Sequence, residues 1–266
     1  MKKIKDTDYL YLSTYLQAKK AHRGESAEDK AAVYRELTAL APDTQIVDFF
    51  RLKYDYHNAK VCLTSLASGS DNSHLLLSLG RISPALLAEA CRTEDYRRLP
   101  AEFAAAIRES AETLGRTADP RLADFVLDKA YIREMKDTAD KTGSKFLAGY
   151  AVLYADALNL RALVRMLKSG VRPEQLKNVL TDCGHITPAV LQSAYPDAPG
   201  VLALFRGTKL APALAEAEKA IRGEGFTPFE RAVQGCLDGY MDEARFTGFG
   251  EKILIRYLYQ IEEQGI

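Results

Sequence analysis

The chain has 266 residues, of which 47% are hydrophobic and 27% charged, the balance of a globular protein with a substantial core. Its 36 Lys and Arg residues equal its 36 Asp and Glu residues, so it lacks the basic excess with which nucleic-acid-binding proteins neutralise phosphates. No apolar run approaches the roughly 20 residues of a membrane span, and the N-terminus predicts no signal peptide. The four cysteines form no C-x-x-C pair, which indicates reduced thiols in a cytoplasmic protein.

The hydrophobic pattern predicts α-helices along almost the whole chain. One stripe has apolar residues at intervals of three and four, which lie on one helix face: Phe49, Leu52, Tyr56, Ala59, Leu63 and Leu66. Further along, Ser83, Thr187 and Thr227 each precede a proline, a pattern that predicts hydroxyl N-caps, and Glu230 completes a predicted capping box. No segment shows the sustained alternation of a hairpin strand. We therefore predict an all-α protein of roughly a dozen helices.

An internal repeat predicts how these helices are organised. The segment YDYHNAKVCL from Tyr54 aligns with YADALNLRALV from Tyr154, and GRISPALL from Gly80 recurs as GHITPAVL from Gly184. The apolar stripe aligns with a second one: Tyr150, Leu153, Ala157, Leu160, Val164 and Leu167. A weaker match relates FVLDKAYIREM to GCLDGYMDEA. We predict one domain, residues 1–266, made of three pseudo-repeated helical-bundle lobes at about 1–72, 73–172 and 173–266.

The alignment singles out a set of polar residues beside the stripe. Its members are Asp55, Asn58 and Lys60 in the first copy and Asp156, Asn159 and Arg161 in the second. A catalytic pair is rarely duplicated in register with its whole helix, so we expect these positions to satisfy polar groups where helices of a lobe meet. His57 is replaced by Leu158 in the second copy, which favours a packing role over that of a general base.

Signatures of chemistry are otherwise absent from the sequence. There is no phosphate-binding loop, no G-x-G-x-x-G, no H-E-x-x-H and no G-x-S-x-G motif. The four histidines are too scattered to suggest a metal site. We therefore predict no catalytic, cofactor-binding or metal-binding residue and no direct small-molecule substrate.

The chain resembles the C subunit of V-type and A-type ATPases, which corresponds to the d subunit of eukaryotic vacuolar ATPases. The resemblance runs in order through DTDYLYLSTYLQAKKA, KYDYHNAK, LLLSLGRISPALLAEA, the long block DPRLADFVLDKAYIREMKDTADKTGSKFLAGYAVLYADALNLRALVRMLKSG and GFGEKILIRYLYQIEEQ. It implies a three-lobed, funnel-like helical protein that joins the central-stalk subunits to the membrane rotor ring. It also implies a non-catalytic, cytoplasmic, peripheral part of a motor that couples ATP hydrolysis or synthesis to H⁺ or Na⁺ transport.

Relative to that family, the first lobe is shorter between Ala21 and Ala31, and the chain ends at Ile266, about where the family's last helix continues. Two other functions stay open at this point. A helical-repeat scaffold or adaptor unrelated to rotary ATPases would have no preferred stalk or ring partner. A helical enzyme using Asp55, His57 and Asn58 would hold them in a concave pocket with perturbed pKa values.

Overall fold

The computed structural model describes residues 4–21 and 30–263, so most of the segment between Ala21 and Ala31 and the chain end at Ile266 lie outside the described residues. The chain is 78% helical, and the described ranges contain 13 α-helices and no strand. The predicted all-α class is confirmed. The helices are α1 (Leu10–Ala21), α2 (Lys30–Leu40), α3 (Thr44–Ser68), α4 (Pro84–Thr93), α5 (Ala101–Thr117), α6 (Pro120–Thr142), α7 (Lys145–Ser169), α8 (Leu176–Val179), α9 (Pro188–Ala194), α10 (Ala198–Leu204), α11 (Leu214–Arg222), α12 (Thr227–Asp242) and α13 (Glu251–Glu263).

The chain divides into two compact units. The first comprises Met1–Gly143 and Thr247–Ile266, and the second comprises Ser144–Phe246. In the first unit, α3 packs against α2, α4, α6 and α13, while α5 packs along α6. In the second, α7 packs against α11 and α12, and α10 joins α9 to α11. The three predicted lobes, 1–72, 73–172 and 173–266, stay a prediction.

The two long central helices begin and end in the same way. Each has 25 residues and starts after a polar N-cap: Asp43 accepts from the Gln45 N–H, and Ser144 accepts from the Leu147 N–H. Each ends at a glycine in the left-handed region, Gly69 with φ 65° and Gly170 with φ 61°. A residue with a Cβ adopts that conformation at a cost, so glycine stops these helices where the sequence places it.

The predicted caps of the shorter helices have mixed outcomes. Ser83 caps α4 by accepting from the Leu86 N–H at 3.2 Å, as predicted. Thr187 occupies the N-cap position of α9 but makes no side-chain capping bond. The capping box at Thr227 is wrong, because α12 has Phe226 as its N-cap. Glu230 instead bonds two arginines, since a carboxylate gains more from guanidinium partners than from one backbone amide.

Helix α7 is the one described helix that is long and apolar enough, by length and composition, to cross a membrane. Of its most apolar stretch, 61% is buried inside the protein. Its apolar residues pack in the core of the second unit, where Leu147, Leu160 and Leu163 are fully buried. The core helix of a globular unit has this same composition, because it is covered on all sides by neighbouring elements.

Candidate functional site: two Asp–Asn clusters

The first Asp–Asn pair holds a loop against α3. Asp55 and Asn58 are both 0% exposed. Asn58 donates from Nδ2 to the Leu77 carbonyl and accepts at Oδ1 from the Leu77 N–H, both at 2.8 Å. Asp55 accepts at Oδ1 from the Ile82 N–H at 3.0 Å. Residues 77–82 are not helical, so these side chains supply hydrogen-bond partners that the loop's own backbone does not.

The second pair makes the same bonds on α7. Asp156 and Asn159 are 2% and 1% exposed. Asn159 donates from Nδ2 to the Thr181 carbonyl and accepts at Oδ1 from the Thr181 N–H, both at 2.9 Å. Asp156 accepts at Oδ1 from the Ile186 N–H at 3.3 Å. Each pair thus fixes the loop that precedes the helix beginning at Pro84 or Pro188.

A glycine lies directly against each aspartate. A Cβ built on Gly80 would be 2.2 Å from Asp55 Oδ1, and one on Gly184 would be 2.3 Å from Asp156 Oδ1. Neither glycine is among the residues of positive φ, so the need for glycine here is one of space and not of backbone conformation. The carboxylate can therefore reach the backbone N–H groups of its loop because the neighbouring position carries no side chain.

The first cluster extends into a group of charged side chains around Arg81. Arg81 donates from Nε to Asp55 at 2.7 Å, and its Nη1 lies 2.9 Å from Glu134 on α6. Tyr56 donates to the same Glu134 at 2.9 Å. Among the buried side-chain atoms of the described residues, Arg81 Nη2 has no hydrogen-bond partner. His185 occupies the place of Arg81 in the second copy.

Burial governs the titration of both aspartates. It raises the pKa of Asp55, while the Arg81 guanidinium acts in the opposite direction. It also raises the pKa of Asp156, which the backbone N–H of Ile186 opposes. Both effects are expected for carboxyls removed from water and compensated by hydrogen bonds. The two carboxyl groups are therefore enclosed and engaged, and neither presents a free oxygen to solvent.

The repeated basic residues contact other carboxylates and not the Asp–Asn pairs. Lys60 Nζ lies 2.6 Å from Asp128 on α6. Arg161 Nε lies 2.8 Å from Glu230 on α12, which Arg165 also contacts at 2.8 Å. Each of these ion pairs links a long central helix to the helix packed beside it. They are partly exposed, so each contributes little to stability by itself.

The residues of the enzyme alternative do not meet at one accessible point. His57 is exposed, and its Nε2 lies 3.0 Å from the Leu75 carbonyl, whereas Asp55 and Asn58 are enclosed. Within residues 4–21 and 30–263, no group of three or more His, Cys, Asp or Glu side chains could hold a metal ion. The arrangement is suited to fastening loops to helices.

Sequence reasoning missed part of this site. Gly80 and Gly184 recur at the same place in the two copies, and that recurrence could have indicated their contact with the aspartates. Arg81 and Glu134 carried no such signal, because the second copy has His185 in the place of Arg81.

Comparison with known proteins identifies the family. A family model described as ATP synthase (C/AC39) subunit matches residues 1–263. The chain belongs to this family. The resemblance that the sequence motifs indicated is thereby confirmed, and the chain is a V/A-type ATPase component of the C-subunit type.

Two relatives carry names of the same kind. The C subunit of the V-type sodium ATPase of Enterococcus hirae is 22% identical over 235 residues, covering 87% of this chain and 71% of the relative. The C subunit of the A-type ATP synthase of Pyrococcus horikoshii is 22% identical over 275 residues, covering 98% of this chain and 74% of the relative.

Proposed function

We propose that this chain is a non-catalytic subunit of the central rotor that links the central stalk to the membrane rotor ring. In this role it couples ATP hydrolysis or synthesis to the transport of H⁺ or Na⁺. The observation that carries the proposal is the match of residues 1–263 to the ATP synthase (C/AC39) subunit family. The relatives are named as the C subunits of a sodium ATPase and of an ATP synthase, which supports the same assignment.

The absence of catalysis by this chain is supported by the geometry of its buried polar groups. Asp55 and Asp156 accept hydrogen bonds from backbone N–H groups and are enclosed by the protein. A general base must reach the proton it removes at hydrogen-bonding distance, directly or through one water. Carboxyl groups fixed in this way serve the fold, and the chemistry of ATP belongs to other subunits of the complex.

The proposed partners are the central-stalk subunits on one side and the membrane rotor ring on the other, in a peripheral position on the cytoplasmic side. Moving one charge against 100 mV requires about 2.3 kcal/mol, and several ions move in each turn. A protein that transmits this load needs extensive contacts, so we expect each of its two interfaces to bury about 1,600 Å² or to be reinforced by charge pairs.

The test is to reconstitute the ATPase into vesicles with and without this chain, and to measure ATP hydrolysis and ion uptake on the same preparation. We expect hydrolysis by the catalytic head to continue without the chain while ion uptake disappears. Adding back the purified chain should restore uptake. Ion uptake that survives omission, or ATP hydrolysis by the purified chain alone, would contradict the proposal.

A further inference from the structure

Two cysteines of the first unit lie against each other near the end of α3. Cys62 is on α3 and Cys91 is on α4, two helices that pack together, and both cysteines are free thiols. The residues are buried, with 6% and 3% of their surface exposed. Their thiols are close enough to share a hydrogen bond, which Cys91 donates to Cys62. The fold therefore brings together two oxidisable groups that are 29 residues apart in the chain.

An open cleft gives small reagents a route to this thiol pair. The cleft has a volume of about 880 Å³ at the C-terminal end of α3, and Cys91 is one of the residues that line it. Leu63 and Thr64, which follow Cys62 in the chain, line it as well. Because both cysteines are almost fully buried, a reagent must be small to reach them, and hydrogen peroxide meets that condition.

The contact between the thiols makes one of them the better nucleophile. The hydrogen bond from Cys91 lowers the pKa of Cys62, an effect that burial opposes. The same contact raises the pKa of Cys91, and burial adds to that increase. The thiolate, and not the thiol, is the form of cysteine that attacks an oxidant. Cys62 is therefore the sulfur that reacts first, with Cys91 beside it as the second thiol.

The second copy of the repeat packs the same place without cysteine. Cys62 aligns with Leu163, and Cys91 aligns with Tyr195. Leu163 is fully buried, and the Tyr195 hydroxyl donates to the Met166 carbonyl at 3.2 Å, which fastens that residue to α7. A buried cysteine usually serves as a small packing residue. Packing at this place does not require two cysteines, because leucine and tyrosine fill the aligned positions.

We propose that Cys62 and Cys91 form a redox site, at which a peroxide converts the two thiols into a disulfide between α3 and α4. The Cys62 thiolate attacks one oxygen of hydrogen peroxide and breaks the O–O bond, which gives a sulfenic acid at Cys62 and releases hydroxide. The Cys91 sulfur then attacks the sulfenic sulfur, forms the S–S bond and releases the second oxygen as water. In total the thiols lose two electrons and two protons, and the peroxide becomes two water molecules. A dithiol reverses the reaction by thiol–disulfide exchange.

The disulfide would tie together the elements on either side of the loop that Asp55 and Asn58 hold. It would close a ring over residues 62–91, which contains that loop, residues 77–82. A crosslink that fits the native arrangement restricts the unfolded chain and so stabilises the folded one. We therefore expect the oxidised chain to melt about 5 °C above the reduced chain.

The first measurement identifies the bond in the unaltered chain. The folded protein is treated with hydrogen peroxide, its remaining thiols are alkylated, and a tryptic digest made without reductant is analysed by mass spectrometry. Trypsin cuts after Arg81 and so places the two cysteines on separate peptides, residues 61–81 and 82–92. We expect these two peptides to be joined after oxidation, and dithiothreitol to release them.

The other two cysteines of the chain supply matched controls. Cys183 and Cys236 lie in the second unit, and burial raises the pKa of Cys236. We expect both to react with peroxide about tenfold more slowly than the pair, and the double variant Cys183→Ala, Cys236→Ala to form the disulfide as the unaltered chain does. Cys91→Ala should abolish the disulfide and leave a sulfenic acid at Cys62, which dimedone traps as an adduct.

Three results would overturn the inference. The first is a folded, oxidised chain in which peptides 61–81 and 82–92 are not joined. The second is oxidation of Cys183 or Cys236 as fast as that of the pair. The third is a disulfide that lowers the melting temperature, since such a bond would not fit the native arrangement of α3 and α4. The measurements on the unaltered chain decide all three, even if Cys91→Ala does not fold.

Discussion

Replacing Gly80 by alanine tests the link between the loop and the buried aspartate. The new methyl group would lie 2.2 Å from Asp55 Oδ1, far inside the normal contact distance, so the carboxylate or the loop must move by about 1 Å or more. Asp55 is fully buried and accepts at 3.0 Å from the Ile82 N–H and at 2.7 Å from Arg81. A shift of that size takes the Ile82 bond beyond hydrogen-bonding distance.

The magnitude follows from the bonds that are lost. Leaving a buried donor unpaired costs about 1–3 kcal/mol, and the bond to Arg81 adds a charge-assisted contribution of about 1.5–3 kcal/mol if it is also broken. Alanine restricts the unfolded chain, which offsets about 0.4–1 kcal/mol. We therefore expect Gly80→Ala to lower the free energy of unfolding by about 2–4 kcal/mol.

The assay is urea unfolding of the purified chain followed by circular dichroism, with Gly115→Ala as the matched control. Gly115 lies in α5 with nothing within 4 Å of a built Cβ, so alanine there should stabilise by about 0.5–1 kcal/mol. The deciding comparison is Gly80→Ala made in the Asp55→Ala variant, where the clashing oxygen is gone. The reasoning is refuted if Gly80→Ala costs as much in that background as in the unaltered chain.

Three further predictions concern the same clusters. Asp156→Ala should lower the free energy of unfolding, measured by urea unfolding, by about 1–3 kcal/mol, because the buried Ile186 N–H loses its acceptor. An unchanged free energy of unfolding would contradict this hydrogen bond. His57→Leu, which imitates the second copy, should change the melting temperature by less than about 2 °C, since the exposed imidazole makes one replaceable contact. Burial raises the pKa of Asp156 above 3.8, so the stability it contributes is present below pH 3.8 and is lost as pH rises through the folded-state pKa. The free energy of unfolding should therefore decrease between about pH 3 and pH 7, and Asp156→Asn should abolish this decrease. A decrease that persists in the variant would come from another titrating group.

The sequence predicted those residues of the site that recur in both copies of the repeat. The recurrence of Asp55 and Asn58 as Asp156 and Asn159 singled out four buried residues, and the motifs around Gly80 and Gly184 marked the loops that they bind. The partners of Lys60 and Arg161 could not be predicted, because they lie on α6 and α12, far along the chain. Spacing along one helix identifies a face, and it does not identify which later helix will pack there.

The sequence by itself determined the helical class, the apolar stripes of the two long central helices, and the resemblance to the family. These features depend on local preferences and on periodicity, which the order of residues contains directly. Only the tertiary structure decided that Glu230 bonds two arginines in place of capping α12, and that Leu66 is 52% exposed while its counterpart Leu167 is partly buried. In both cases the outcome depends on which distant helix approaches, and that choice is set by packing and charge in three dimensions.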